Sequence, residues 1–201
     1  MKKLLLVTAA LFGFTGAAHA QSFHFGVQGG YDWANSDVNI PAYTDPNVSI
    51  DGDGWQLGAF GGVDWQMGSG WTLGVEADAN WTDAEAEGLS GGSGGETFTV
   101  SENWNAGIRG RVAFDISTND QLYGALGWSW ADVDANYSGG SDEGATLSGW
   151  TAAVGLDHNF GSWFGRVEYR HSDYDSEHFD SLFASADLTN DALLLGAGWK
   201  M

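Results

Sequence analysis

A stretch of strict alternation, WTLGVEADANW at residues 71–81, limits what this chain can fold into. Apolar residues occupy every odd position, and small or polar residues occupy every even position. A period of two predicts a β-strand. At about 3.3 Å per residue the strand would be about 33 Å long, and a tilt of ~45° would let it span roughly 23 Å, close to the apolar band of an outer-membrane barrel.

The polar face of this stretch carries Glu76 and Asp78, which lipid would not tolerate, so that face needs a wet or charge-paired interior. Trp71 and Trp81 stand at the two ends, as expected of residues at the two interfaces of a bilayer. The same position is predicted for a set of interface aromatics, with lipid and lipopolysaccharide as their surroundings: Trp33, Trp55, Trp65, Trp71, Trp81, Trp163 and Trp199.

The alternation recurs in seven further segments, and all eleven tryptophans fall on the apolar faces. In the fourth segment Trp104 and Ile108 lie on the apolar face, and Asn103 lies on the polar one. Short turns at about 67–70, 115–120 and 159–162 alternate with long polar segments at about 35–54, 82–97, 132–147 and 173–189. We predict an all-β fold, a closed eight-stranded antiparallel transmembrane β-barrel with short periplasmic turns and long extracellular loops.

A soluble β-barrel with the apolar faces turned inward around a ligand is the alternative fold. Predicted strands of ten to twelve residues, longer than the usual ~5–6, weigh against it. Tryptophans at the strand ends weigh against it as well.

The first twenty residues predict an export signal. Lys2 and Lys3 precede an apolar run at 4–14, and Ala18, His19 and Ala20 form a small-residue cleavage site. We therefore expect a cleaved signal peptide at 1–20 and one barrel domain at 21–201 in the outer membrane. Cleavage leaves five Lys and Arg against 27 Asp and Glu, which excludes nucleic-acid binding through a basic surface. Without cysteine there is no disulfide and no thiolate metal site, and no cofactor is expected.

The five remaining basic residues all fall on the polar faces of their segments. We predict an interior charge network of Arg109, Arg111, Arg166, Arg170, Glu76, Asp78, Glu168 and Asp64. The interior of an eight-stranded barrel is only wide enough for side chains to fill it, so these charges must satisfy one another. The network is interpreted as a polar plug, and a charge-lined conduit is the alternative.

Three segments carry a family resemblance: NWNAGIRGR at 103–111, VEYRHSDY at 167–174 and GAGWKM at 196–201. Together with the export signal, they resemble the small eight-stranded outer-membrane β-barrel family. This family includes porin-like immunogenic surface proteins and is related in architecture to the OmpA membrane domain. In the last segment, Gly196, Trp199 and Met201 resemble the terminal signal read by the barrel-assembly machinery, although the usual final residue is aromatic. The resemblance implies an architecture and an outer-membrane location, and no particular chemistry.

Seventeen of the 27 acidic residues lie in the four predicted outer loops, which contain no Lys or Arg. They form a solvated surface or bind divalent cations that bridge to lipopolysaccharide phosphates. Asp51 begins a superficial calcium-loop pattern, but its twelfth position is Gly62, where an EF-hand requires Glu, and no metal site is assigned.

No catalytic site is assembled in the sequence. His171 and Ser172 are neighbours on one predicted strand and point to opposite faces, so they cannot pair as base and nucleophile. His24 and His158 have no evident partner, and His178 lies in an acidic loop. An enzyme is therefore not expected.

The expected function is that of a noncatalytic outer-membrane surface protein, a monomer, that contributes to envelope integrity and to surface interactions through its acidic extracellular loops. A narrow porin-like channel for ions or small solutes is the alternative. A lipid-modifying or proteolytic outer-membrane enzyme is the third hypothesis.

Overall fold

The computed structural model describes residues 21–39, 47–89, 97–137, 141–179 and 184–201, which form one closed antiparallel β-barrel. The predicted signal peptide at 1–20 lies outside the described residues and stays a prediction. Across the described residues, no helix is long and apolar enough to cross a bilayer.

Nine strands are present in the described residues. They are β1 Gln21–Asn39, β2 Asn47–Gly68, β3 Trp71–Thr82, β4 Glu85–Leu89, β5 Thr97–Asp115, β6 Asp120–Tyr137, β7 Ser141–Asn159, β8 Trp163–Phe179 and β9 Ala184–Lys200. The short β4 continues β3 after a break at Asp83 and Ala84, and it pairs with β2 and β5. The wall therefore has eight strand positions, and it closes because β1 pairs with both β2 and β9. The predicted fold is confirmed.

The two faces of the wall are inverted relative to a soluble protein. In β3 the apolar positions are exposed and the polar positions are buried, in strict alternation from Trp71 to Trp81. Ten of the eleven tryptophans are exposed on the outer wall, and Trp65 is half-buried on the same face of β2 as Trp55. An apolar exterior suits lipid, and closure leaves no free strand edge in the bilayer.

The three predicted short turns are confirmed. The strands end and resume at Gly68 and Trp71, at Asp115 and Asp120, and at Asn159 and Trp163. The first turn is the tightest, because Gly68, Ser69 and Gly70 all take positive φ angles, of 83°, 55° and 79°. Glycine adopts that conformation without steric cost, which explains the Gly-Ser-Gly sequence there.

The four long segments predicted as loops are partly strand. Paired strands extend into them: β1 and β2 pair as far as Asn39 and Asn47, and β6 and β7 as far as Tyr137 and Ser141. Apart from β3 and β4, the strands contain 17 to 22 residues. The segments are polar because acidic side chains alternate outward there, and polar composition does not prevent a strand from pairing outside lipid.

A β-bulge in β5 changes one predicted orientation. The register between β5 and β6 shifts between Glu102 and Trp104. Asn103 was predicted on the interior face, but it is exposed and donates a hydrogen bond to Asp134 Oδ2 at 2.8 Å. Glu102 points inward instead, because the bulge inserts one extra residue into the alternation.

Candidate functional site

The structure places all eight residues of the predicted charge network inside the barrel, each less than 9% exposed. Glu76 lies at the centre. Its Oε1 accepts a hydrogen bond from Arg109 Nη2 at 2.8 Å, and Arg109 is its direct partner across β3 and β5. Its Oε2 accepts hydrogen bonds from Arg166 Nη1 at 2.8 Å and from His24 Nε2 at 2.9 Å.

A second carboxylate, Glu168, extends the network along β8. Arg109 Nη1 and Arg170 Nη2 each donate to its Oε1 at 2.8 Å. The Tyr123 hydroxyl donates to its Oε2 at 2.5 Å. Arg170 also donates to Asp78 Oδ2 at 2.7 Å. Arg109 therefore joins the two glutamates, and every carboxylate in this group touches a guanidinium.

Asp157 and two aromatic rings complete the packing around the arginines. Arg111 Nη2 and Arg166 Nε donate to Asp157 at 2.6 and 2.9 Å. Arg111 stacks over the Tyr123 ring, with its Cζ 4.1 Å from the centroid, and Arg166 lies 4.3 Å from that of Phe60. Arginine stacks well on aromatic faces and loses less hydration than lysine when buried.

His24, for which no partner was evident in the sequence, lies between two carboxylates. Its Nδ1 is 3.1 Å from Asp64 Oδ2, and its Nε2 is bonded to Glu76. Both ring nitrogens therefore face carboxylate oxygens. The alternation of His24 with Phe23 and Phe25 predicts that its side chain points inward. Its partners lie on other strands, so the local sequence does not predict them. His24 and the four arginines lie against five carboxylates: Asp64, Glu76, Asp78, Asp157 and Glu168.

An apolar cluster closes the other end of the lumen, and sequence reasoning missed it. We call it the apolar cap; its members are Ala131, Val133, Leu147, Tyr174 and Leu188, with Ala34 packed against it. These residues fall in or beside segments interpreted as loops, so their inward alternation was not considered. Between the cap and the charge network lies a cavity of about 10 Å³, lined in part by Asp78, Arg170 and Tyr174, with room for about one water. Side chains therefore fill the lumen.

Six tryptophans form a row on the outer wall at the end away from the short turns, across β1, β2, β3, β5, β6 and β7. Trp33, Trp55, Trp81, Trp104, Trp130 and Trp150 lie within two register positions of one another from strand to strand. We call them the outer Trp ring. Of the predicted interface aromatics, Trp33, Trp55 and Trp81 belong to this ring, while Trp65, Trp71, Trp163 and Trp199 lie near the short turns, as does the predicted assembly signal of Gly196, Trp199 and Met201.

Carboxylates occupy the outer wall beside and beyond the outer Trp ring. This acidic belt consists of Asp51, Asp53, Asp83, Glu85, Asp132, Asp134, Asp173 and Asp175, all exposed or half-buried. Asp53, Asp83 and Asp132 each lie two positions beyond a ring tryptophan on the same face. No Lys or Arg lies on this part of the described wall, because the four arginines are inside and Lys200 is at the opposite end.

The candidate catalytic pair is not assembled. His171 lies on the outer wall with its Nδ1 2.8 Å from Asp191 Oδ1, whereas Ser172 is buried inside and donates to Thr151 Oγ1 at 3.0 Å. His158, near the short turns, has its Nδ1 2.6 Å from Asp120 Oδ1. In the ranges that the structure covers, no group of three or more His, Asp or Glu side chains is arranged to hold a metal ion.

Comparison with known proteins agrees with this geometry. The model of the outer membrane protein β-barrel domain matches residues 6–200. The 25 kDa outer-membrane immunogenic protein of Brucella abortus is 28% identical over 221 aligned positions, covering 100% of this chain and 98% of that protein. The 22 kDa outer membrane protein of Rhizobium leguminosarum is 30% identical over 186, covering 90% and 77%.

Among solved structures, the outer membrane protein OprG of Pseudomonas aeruginosa superposes with a TM-score of 0.54 at 13% identity, covering 91% of this chain and 97% of that one. At that identity the likeness concerns the fold alone. The family match extends over nearly the whole chain, including every wall strand. The chain belongs to the outer membrane protein β-barrel family, and its place is the outer membrane.

Proposed function

We propose that this protein is a noncatalytic surface protein that supports the integrity of the outer membrane. The observation that carries the proposal is the acidic belt beside and beyond the outer Trp ring. Its carboxylates stand at the depth where the phosphates of outer-leaflet lipopolysaccharide would lie, and like charges repel at that contact. Divalent cations would remove the repulsion, because Ca²⁺ and Mg²⁺ are hard cations that bind carboxylate and phosphate oxygens.

The filled lumen favours this surface role over a conduit. In the charge network the four arginines and His24 lie against five carboxylates, and the apolar cap lies beyond them. Eight-stranded barrels are filled by side chains, and open aqueous channels occur in barrels of about 16 strands. The narrow-pore alternative therefore gains no specific support from the interior.

The experiment is an outer-membrane permeability assay in a strain that lacks the protein. Uptake of a hydrophobic fluorescent dye should rise in that strain and return to normal with the wild-type protein. Asp53→Asn combined with Asp83→Asn, which removes two belt charges, should restore the barrier only in part. Asp115→Asn combined with Asp120→Asn removes two charges at the short-turn end and should restore it fully. Full restoration by the belt variant would contradict the proposal.

A further inference from the structure

Two buried carboxylates, Asp32 and Glu102, lie at the outer end of the lumen, apart from the charge network. Asp32 is 0% exposed and Glu102 is 6% exposed. One amide bridges them, since Asn190 Nδ2 lies 3.4 Å from Asp32 Oδ2 and 3.2 Å from Glu102 Oε2. Thr82 Oγ1 donates to Asp32 at 3.3 Å, and Asn105 Nδ2 donates to Glu102 at 2.9 Å. All of these neighbours are neutral.

Asp32 and Glu102 differ from the carboxylates of the charge network in their lack of a cationic neighbour in the part of the chain that the structure describes. Each of the five network carboxylates lies within 4 Å of an arginine or of His24, whereas neither Asp32 nor Glu102 has such a cationic neighbour in the described ranges. The Arg170 guanidinium, on the side of the charge network that faces the pair, already binds Asp78 and Glu168. Two uncompensated negative charges in a desolvated site are costly, so a cation or a proton must neutralise the pair.

Two buried oxygens beside the pair also have no hydrogen-bond donor among the described residues. They are Asp32 Oδ1 and Gln56 Oε1. Gln56 is 5% exposed and lines the small cavity together with Asn105 and Asn190, the two amides that hold Glu102. Buried polar atoms are nearly always satisfied, so two free acceptor oxygens beside two buried carboxylates indicate a ligand that offers positive charge.

We propose that Asp32 and Glu102, with the side-chain oxygens of Gln56 and Thr82, bind one Ca²⁺. These four residues come from β1, β2, β3 and β5, which are consecutive positions of the wall, so the ion would tie four strands together above the charge network. Two carboxylates neutralise one divalent cation. Ca²⁺ accepts irregular sets of carboxylate, amide and hydroxyl oxygens, whereas Mg²⁺ demands near-ideal octahedral geometry and gives up its waters reluctantly.

The protein is purified from outer membranes in detergent and stripped of metal with a chelator. Calorimetric titration with Ca²⁺ then gives the number of ions bound per barrel. The wild type should bind one more Ca²⁺ per barrel than the Asp32→Asn, Glu102→Gln variant, and Ca²⁺ should raise the Tm of the wild type but not that of this variant. The control is Asp115→Asn combined with Asp120→Asn, two carboxylates at the short turn between β5 and β6, outside the acidic belt. This control loses the same charge and should keep the buried ion and the Tm increase.

The amide variants are nearly isosteric and remove buried charge, so the barrel should remain folded, which heat-modifiable gel mobility checks. If the folded double variant binds as much Ca²⁺ as the wild type, the site is wrong. If the folded wild type shows no saturable Ca²⁺ binding and no Tm increase, a proton neutralises the pair instead, and the proposal is overturned. Neither result bears on the acidic belt, whose test is the permeability assay.

Discussion

Arg166 on β8 and Glu76 on β3 meet across the lumen, with Nη1 2.8 Å from Oε2, although three wall strands separate them in either direction around the barrel. The pair therefore joins opposite sides of the wall. Arg109 makes a second such connection, from β5 to Glu168 on β8. Ion pairs of this kind hold the wall from the inside and occupy the space that a solute would need.

Replacing Glu168 by alanine should destabilise the barrel strongly. Arg109 and Arg170 would each lose a 2.8 Å partner while staying buried, and stranding a buried charge costs about 3–5 kcal/mol. Urea unfolding in detergent, followed by tryptophan fluorescence, measures the loss. Glu85→Ala, an exposed control, should change stability by less than about 0.5 kcal/mol. Equal unfolding midpoints for the two variants would argue against the network.

Gly155→Ala should also destabilise, for a steric reason. Gly155 faces inward, and a Cβ there would collide with the Tyr123 ring on which Arg111 stacks. Overpacking of this kind costs about 1–3 kcal/mol. Gly110→Ala is the matched control, since its Cβ would meet only the Leu126 carbonyl oxygen at 3.8 Å. The same urea assay should separate the two variants, and a neutral Gly155→Ala would mean that Tyr123 is not held in place.

Leu147 tests the apolar cap. It is 3% exposed inside a segment that composition alone assigns to a loop. Leu147→Ala should cost about 2–5 kcal/mol by leaving a cavity. Thr146→Ala, at the exposed neighbouring position, should cost less than about 0.5 kcal/mol. If both substitutions are neutral in urea unfolding, the cap is not a packed core.

The turn between β5 and β6 gives a pH prediction. Hydrogen bonds from the Ser117 hydroxyl and then from His158 hold the pKa of the Asp120 carboxyl below its ordinary value. A lowered folded-state pKa favours the fold at pH values above the unfolded-state pKa, and that contribution is lost as the pH falls through the folded-state value. Carboxyl NMR titration should show Asp120 titrating at higher pH in Ser117→Ala than in the wild type. Identical titration curves would refute the assignment.

Much of the wall follows from the sequence because lipid outside and charge inside impose a period of two. The alternation from Trp71 to Trp81 fixes which side chains point inward, and the same argument places all four arginines in the lumen. Pairing across the lumen is different. The contacts of Glu76 with Arg166 and of His24 with Asp64 depend on how eight strands are registered around a closed wall, which no local pattern contains.

The outer half was predicted less well, for two physical reasons. In these segments acidic side chains occupy the outward positions and alternate with inward residues such as Val133 and Leu147. The paired strands therefore have the overall composition of a loop. At Glu102 the bulge shifts the alternation by one residue. Strict alternation would place the Glu102 side chain on the exterior, but it points into the lumen.

The central claim is that the lumen is closed and that the protein acts at its outer surface. Single-channel recording of the purified, folded protein in a planar bilayer tests it most directly, with the Arg109→Ala, Arg166→Ala variant alongside. For a closed lumen, the wild type should show no reproducible conductance steps. Reproducible steps in the wild type, with an ion selectivity that shifts in the variant, would show that the interior arginines line a conduit and would contradict the account.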